Sequence, residues 1–212
     1  EWDFLAKQFE EAYAMKDHLT HVSPRVQNRN LPYTPVAPSD TMQNEPDTDF
    51  DLSQNQEWVR RIFAKWKKSG TEEPEIIPLQ IGAETVVCKN RYKYLDRCQN
   101  DEVCICEMSQ ADSAQVEKII EIAETDPAGW RKTTLEERHR IMYEAANRLA
   151  DMRGDLIGCM CAVTGKTVIE GDVEVSEAVD YARFYTTAMK KFAALDDIEI
   201  KPKGTILVIS PW

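Results

Sequence analysis

Apolar positions recur along this chain at two spacings, and the change from one to the other divides it into elements. Trp2, Leu5, Phe9, Ala12 and Tyr13 fall at helical spacing and predict an amphipathic helix over residues 2–17, docked on another element. From about residue 18 to 53 the periodicity disappears and five prolines enter, which predicts an extended arm along a surface. If that arm is a packed connector, Leu31, Tyr33, Val36 and Phe50 should be the residues it buries. Helical spacing returns with Trp58, Ile62 and Trp66, opened by a capping box from Ser53 to Gln56 and closing near Gly70.

Alternation by two follows. The stretch EIIPLQIGAETVVCKN predicts two short strands about a tight turn at Gly82, and EVCICEMS a further strand. Four helical patterns come next. One carries Val116, Ile119, Ile120 and Ala123; the second carries Leu135, Met142, Ala145 and Leu149 behind a Thr134 to Glu137 capping box. A third runs from Asp155 to Thr164 and stops at Gly165. The fourth starts at Thr167 with Glu170 as box partner, turns Val175, Val179, Ala182, Met189 and Phe192 inward, and at about 25 residues exceeds the usual helix length. After it, Ile198 and Ile200 alternate with acids, and TILVI at 205–209 is a continuous apolar run. A run of that kind predicts a strand buried on both faces, as in a parallel sheet.

Composition narrows the class. The 212 residues are 42% hydrophobic and 30% charged, enough for one or two packed cores. A net charge of -11 leaves no basic footprint for nucleic acid or an anionic membrane, so the expected partner is a small molecule or a protein. No targeting leader and no apolar run near the roughly 18 residues of a membrane span is present. The chain begins without methionine and stops on the tip of an apolar strand, which reads as an internal piece of something longer.

The six cysteines form no C-x-x-C pair. Cys104 and Cys106 share one face of a strand, Cys159 and Cys161 sit in a helix on different faces, and all read as small buried residues in a reducing cytoplasm. His18 and His21 have no nearby cysteine to complete a metal site. Gly165-Lys166-Thr167 imitates the end of a phosphate-binding loop. Met160 stands where its first glycine belongs, and a helix precedes it instead of a strand.

The stretch AGWRKTTLEERHRIMYEAANRLADMRGDLIGCMCAVTGKTVIEGDVEVSEAVDYARFYTTAMKKF resembles the N-terminal helical region of the NAD(P)-dependent aldehyde dehydrogenase superfamily. Its marks are a Trp before a Thr-x-x-Glu-Arg helix, then Gly165-Lys166-Thr167, then an acid-studded helix with Glu174, Glu177, Asp180 and Tyr185. Ser210-Pro211-Trp212 resembles the family's Pro-Trp-Asn motif, cut one residue short. Upstream, NEPDTDFDLSQNQEWVRRIFAKW resembles glutamate-semialdehyde dehydrogenases of proline catabolism. FEEAYAMKDHLTHVSPRVQNR is similar to the connector that follows the proline dehydrogenase barrel in bifunctional members.

The resemblance implies an α/β fold in three parts: 1–52 as helix and proline-rich arm, 53–110 as a helix with a small antiparallel β element, and 111–212 as the helical part and first strand of the Rossmann-like NAD-binding domain. It implies that Ile209, Ser210, Pro211 and Trp212 lie beside bound NAD, with FAD expected only if a proline dehydrogenase precedes residue 1. It implies an aldehyde substrate, oxidised through a cysteine thiolate, hydride transfer to NAD and release by water. A cytoplasmic homo-oligomer is expected, with no nucleic acid and no membrane span. The resemblance places the family's nucleophilic cysteine and base downstream of the motif and its oxyanion asparagine at the position after Trp212, so none of the six cysteines here inherits the nucleophile's role and no catalytic residue is expected within the chain. The alternative reading is a self-standing acidic helical module that binds a protein partner.

Overall fold

A computed structural model describes residues 1–18, 22–67, 73–99 and 103–210. Its body is a bundle of α4 (Leu135–Asp151), α5 (Arg153–Thr164) and α6 (Val168–Ala193), with α2 (Ser53–Trp66) laid on α5. Ala146 and Ala150 of α4 meet Ile157 and Cys161 of α5 and Val175 and Val179 of α6 in one buried cluster. The small side chains let the helix axes approach closely. Both predicted capping boxes on these helices are present: Thr134 with Glu137, and Thr167 with Glu170. Gly165 closes α5 in the left-handed region at φ 75°.

The buried stripe of α4 is His139, Tyr143, Ala146 and Ala150, one position on from the predicted one. Leu135 is exposed, and Met142, Ala145 and Leu149 sit half-buried at the margin. The inward polar tips find partners, Tyr143 on the Ser39 carbonyl of the arm and His139 beside Thr186 of α6. On α6 the inward face holds through Val175 and Val179, but Met189 and Phe192 are exposed. α2 starts at Ser53 with Leu52 in the capping position and no side-chain cap. The predicted Ser53 box does not form because Gln56 donates instead to the Phe50 carbonyl at 3.0 Å. The helix ends at Trp66; Gly70, its predicted end, lies outside the described residues.

The small β element is mixed, not wholly antiparallel. β2 (Leu79–Ile81) and β3 (Glu84–Val86) form the predicted hairpin about Gly82, φ 59°. β5 (Cys104–Ser109) is the centre of a separate sheet, antiparallel to β4 (Arg91–Leu95) and parallel to β1 (Glu75–Ile77). The parallel pair is possible because β2, β3 and β4 supply the long crossover that parallel strands require. β4, RYKYL, went unread in the sequence because Arg91 and Lys93 dilute its alternation.

Two predicted contacts are absent. α1 (Trp2–Ala14) buries none of its residues, and Trp2 is 79% exposed. It forms on local hydrogen bonding alone. α3 (Ser113–Thr125) turns Ile122 toward Gly82 and leaves Val116, Ile119 and Ile120 exposed, since the hairpin covers only one side of it.

Candidate functional site

The residues expected beside a cofactor lie past α6. Residues 198–210 make no ladder with any described strand. Ile206, Leu207, Val208 and Ile209 are exposed, Val208 to 83%. The predicted buried strand over 205–209 is therefore not formed: a strand is held by its neighbours, and no described strand lies alongside. Ile209 and Ser210 are adjacent and exposed, whereas Pro211 and Trp212 lie outside the described residues. The exposed strip offers aliphatic surface and one hydroxyl, which suits a wall against a ring. It brings no donor set for a pyrophosphate, so the described residues do not by themselves fit a dinucleotide.

What the fold does bring together is a buried polar cluster that fastens the arm to the bundle. Glu45 is its hub, accepting from Arg153 at 3.3 Å through one oxygen and from Arg183 at 3.1 Å through the other, with Arg29 3.9 Å away. Asp172 accepts from Arg153 at 2.8 Å and takes both the amide and the hydroxyl of Thr48 at 2.6 Å. Ser176 accepts a further bond from Arg153 at 3.0 Å. Asp180 receives the Glu45 amide at 2.7 Å and the Asn44 side chain at 2.6 Å. The Nε atoms of Arg153 and Arg183 are buried without a hydrogen-bond partner. Burial, and next the nearby Arg153, holds the Arg29 guanidinium below its ordinary value. Burial and then the Glu45 charge push the Tyr33 phenol up.

A second group of contacts continues along the arm. Asn147 grips Val36 by both its amide and carbonyl, at 3.0 and 2.9 Å, and accepts from Tyr33 at 3.1 Å. Tyr143 donates to the Ser39 carbonyl at 3.1 Å, and Lys190 pairs with Asp40 and Glu136 at 2.8 Å each. Asn55, fully buried, closes the arm on itself: its carbonyl oxygen accepts from the Arg29 amide, and its side-chain nitrogen donates to Gln27 and to the Asp49 carbonyl. The arm is thus packed, but only in part through the predicted residues: Tyr33 lies against the helical core and is bonded to Asn147 and Arg183. Leu31 is 65% exposed, Val36 is also exposed, and Tyr33 and Phe50 are half-buried. Buried Glu45 and Thr48 take their place.

These contacts bind parts of one chain to one another and present no reacting group. Burial raises the thiols of Cys159 and Cys161, which keeps them protonated and poorly nucleophilic. Among the described residues no group of three or more His, Cys, Asp or Glu could hold a metal, and no described helix is long and apolar enough to cross a membrane. Glu45, Arg153, Asp172 and Arg183 were missed in the sequence. Their one visible signal is that Asp172 and Arg183 share the inward face of α6 with Val175 and Val179, where a charge requires a partner.

The model of the aldehyde dehydrogenase family matches residues 88–212, more than half of the chain. The chain belongs to the aldehyde dehydrogenase family.

This aldehyde dehydrogenase chain is 29% identical over 180 residues to 1-pyrroline-5-carboxylate dehydrogenase of Geobacillus sp. (strain WCH70), a match covering 80% of this chain and 34% of the relative. The enzyme of that name from Bacillus pumilus (strain SAFR-032) is 26% identical with the same coverage. Among solved structures, 1-pyrroline-5-carboxylate dehydrogenase from Thermus with bound NAD aligns at a TM-score of 0.67 and 23% identity, over 76% of this chain and 30% of its own. Proline utilization A from Bdellovibrio bacteriovorus aligns at 0.67 and 21%, over 83% of this chain and 17% of its own. These likenesses show the aldehyde dehydrogenase α/β fold. The chain spans about a third of the length of the curated relatives it matches. Family membership leaves the reading as a self-standing acidic interaction module without support.

Proposed function

We propose that this chain is the N-terminal scaffold of an NAD-dependent aldehyde dehydrogenase that oxidises L-glutamate γ-semialdehyde to glutamate in proline catabolism. The observation that carries the reading is the family match over residues 88–212, extended upstream by relatives named 1-pyrroline-5-carboxylate dehydrogenase. NAD is bound in a Thermus structure of the same fold, which supports NAD as the electron acceptor. In this reading Ile209, Ser210, Pro211 and Trp212 form one wall of the cofactor cleft. The phosphate-binding turn, the nucleophilic cysteine and its base come from outside these 212 residues. The chain's own residues supply no chemical step; the ion cluster and Asn147 set the arm on the bundle.

The three-part division at 52/53 and 110/111, a homo-oligomeric cytoplasmic enzyme, and FAD in a preceding proline dehydrogenase belong to the same proposal. The likeness to proline utilization A supports the last of these. The test is an assay of the full-length gene product with glutamate semialdehyde and either nicotinamide cofactor. Reduction of NAD dependent on that aldehyde is expected. Turnover of other aldehydes with none of this one would overturn the substrate assignment.

A further inference from the structure

Two of the six cysteines come into contact from different parts of the fold, the thiol of one against the backbone of the other. Cys98 follows β4, and its thiol lies 3.3 Å from the carbonyl oxygen of Cys161 in the last turn of α5. Residues 96–99, which carry it, are held in place by hydrogen bonds. Asp96, 2% exposed, accepts from the Cys98 amide at 2.8 Å and from the Gln99 side chain at 2.7 Å. The Arg97 amide donates to the Ala162 carbonyl at 2.8 Å, which ties the loop to α5 directly beside Cys161. Cys161 is itself held in the helical core. Both cysteines line one cleft of about 280 Å³ with Phe63, Trp66 and Gly158.

The two differ in exposure in the way an oxidisable pair requires. Cys98 is exposed and open to a dissolved oxidant, whereas Cys161 is buried. Cys159 is half-buried and feels the charge of Glu75, which places it toward β1. Cys104 and Cys106 lie two apart on one strand, about 6.6 to 6.8 Å between Cα atoms, at the outer limit for a disulfide. Cys88 contacts Gln115.

We propose that Cys98 and Cys161 form an oxidisable dithiol, a modification site at which hydrogen peroxide converts the two thiols to a disulfide. The Cys98 thiolate attacks one peroxide oxygen, the O–O bond breaks, and after proton transfer Cys98 is a sulfenic acid and one water leaves. The Cys161 thiol then attacks the Cys98 sulfur, the S–O bond breaks, and a second water carries away the remaining oxygen and the thiol proton. Two thiols lose two electrons and one peroxide becomes two waters. Burial raises the Cys161 thiol, which lowers the thiolate fraction available for the second step. The product staples the loop after β4 to α5, and a dithiol reductant restores both thiols.

The test treats the intact protein with hydrogen peroxide, blocks remaining thiols with iodoacetamide, and maps the digest by mass spectrometry. A linked peptide pair joining Cys98 to Cys161, removed by dithiothreitol, is expected. In Cys161→Ala the reaction should stop at a Cys98 sulfenic acid that dimedone captures. Cys98→Ser should abolish the link, and Cys159→Ala should leave it in place. If Cys98 is oxidised while Cys161 is recovered alkylated, if either joins a different cysteine, or if neither reacts, the proposal is wrong. The map of the unsubstituted protein decides this even where Cys161→Ala fails to fold.

Discussion

Thr48 and Asp172, 124 positions apart, share two buried hydrogen bonds of 2.6 Å, one from the threonine amide and one from its hydroxyl. The pair shows how the arm is held: by charged and polar groups that share partners in a buried network. Such a lock adds less net stability than its number of bonds implies, since desolvating the ions offsets much of the attraction. It is costly to break on one side only.

That asymmetry gives the first expectation. Glu45→Gln removes the charge that Arg153 and Arg183 both face. Breaking a buried pair by removing one partner costs about 3 to 5 kcal/mol. Chemical denaturation should show a loss of that size, against less than about 1 kcal/mol for an exposed control such as Lys7→Gln.

Close packing gives the second. A Cβ on Gly158 would run into the Trp66 ring, so the indole must move. Gly158→Ala should destabilise the protein by about 1 to 3 kcal/mol. Trp66→Leu in the same chain should recover part of that loss. A double-mutant cycle with no coupling between the two would count against the packing described.

The third concerns pH. The Tyr33 phenol is pushed above its ordinary value of about 10 because burial and then Glu45 disfavour the phenolate. A raised folded-state value means the folded protein holds the proton longer than the unfolded one. Its contribution is complete below pH 10 and is lost as pH rises through the higher folded value. Denaturation midpoints should fall more steeply above pH 10 in the native protein than in Tyr33→Phe. Parallel curves would contradict this.

Proteolysis supplies the fourth. Lys7 and Lys16 lie on or just after α1, which buries nothing, whereas Arg25 and Arg29 are engaged with Asp49, Asp51 and Thr48. Brief trypsin treatment should cut at Lys7 and Lys16 and spare Arg25 and Arg29. Early cleavage at Arg29 would show the arm to be loosely held.

The sequence declared what is local. The boxes at Thr134 and Thr167 and the stop at Gly165 each rest on residues within one helical turn, and each is where the pattern put it. It was silent on partners far along the chain. The arm was read by its apolar residues, because nothing near Glu45 shows that Arg153 and Arg183 await it. The α4 stripe turns inward through His139 and Tyr143, one position on from its apolar residues, and the local apolar pattern does not carry that. The 205–209 run was read as a strand from its own composition, yet a ladder belongs to two segments at once. The same holds for the residues proposed to line a cofactor cleft: Ile209 and Ser210 are exposed, and a partner for them is not written in their own neighbourhood.

The closure of the arm at Asn55 also fixes where a mechanical load would travel. A pull on α1 enters the body through Arg25, which is paired to Asp49 and Asp51, and through Gln27, which is bonded to Asn55 and to the Asp49 amide. The two ends of the arm meet at that point, so tension passes straight into the first turn of α2 and the stretch between Asn30 and Pro46 stays slack. Thr48, beside Asp49, and Arg29, beside Asn55, carry part of that load onward to Asp172 and Glu45, so the ion cluster anchors the root of the arm to α6.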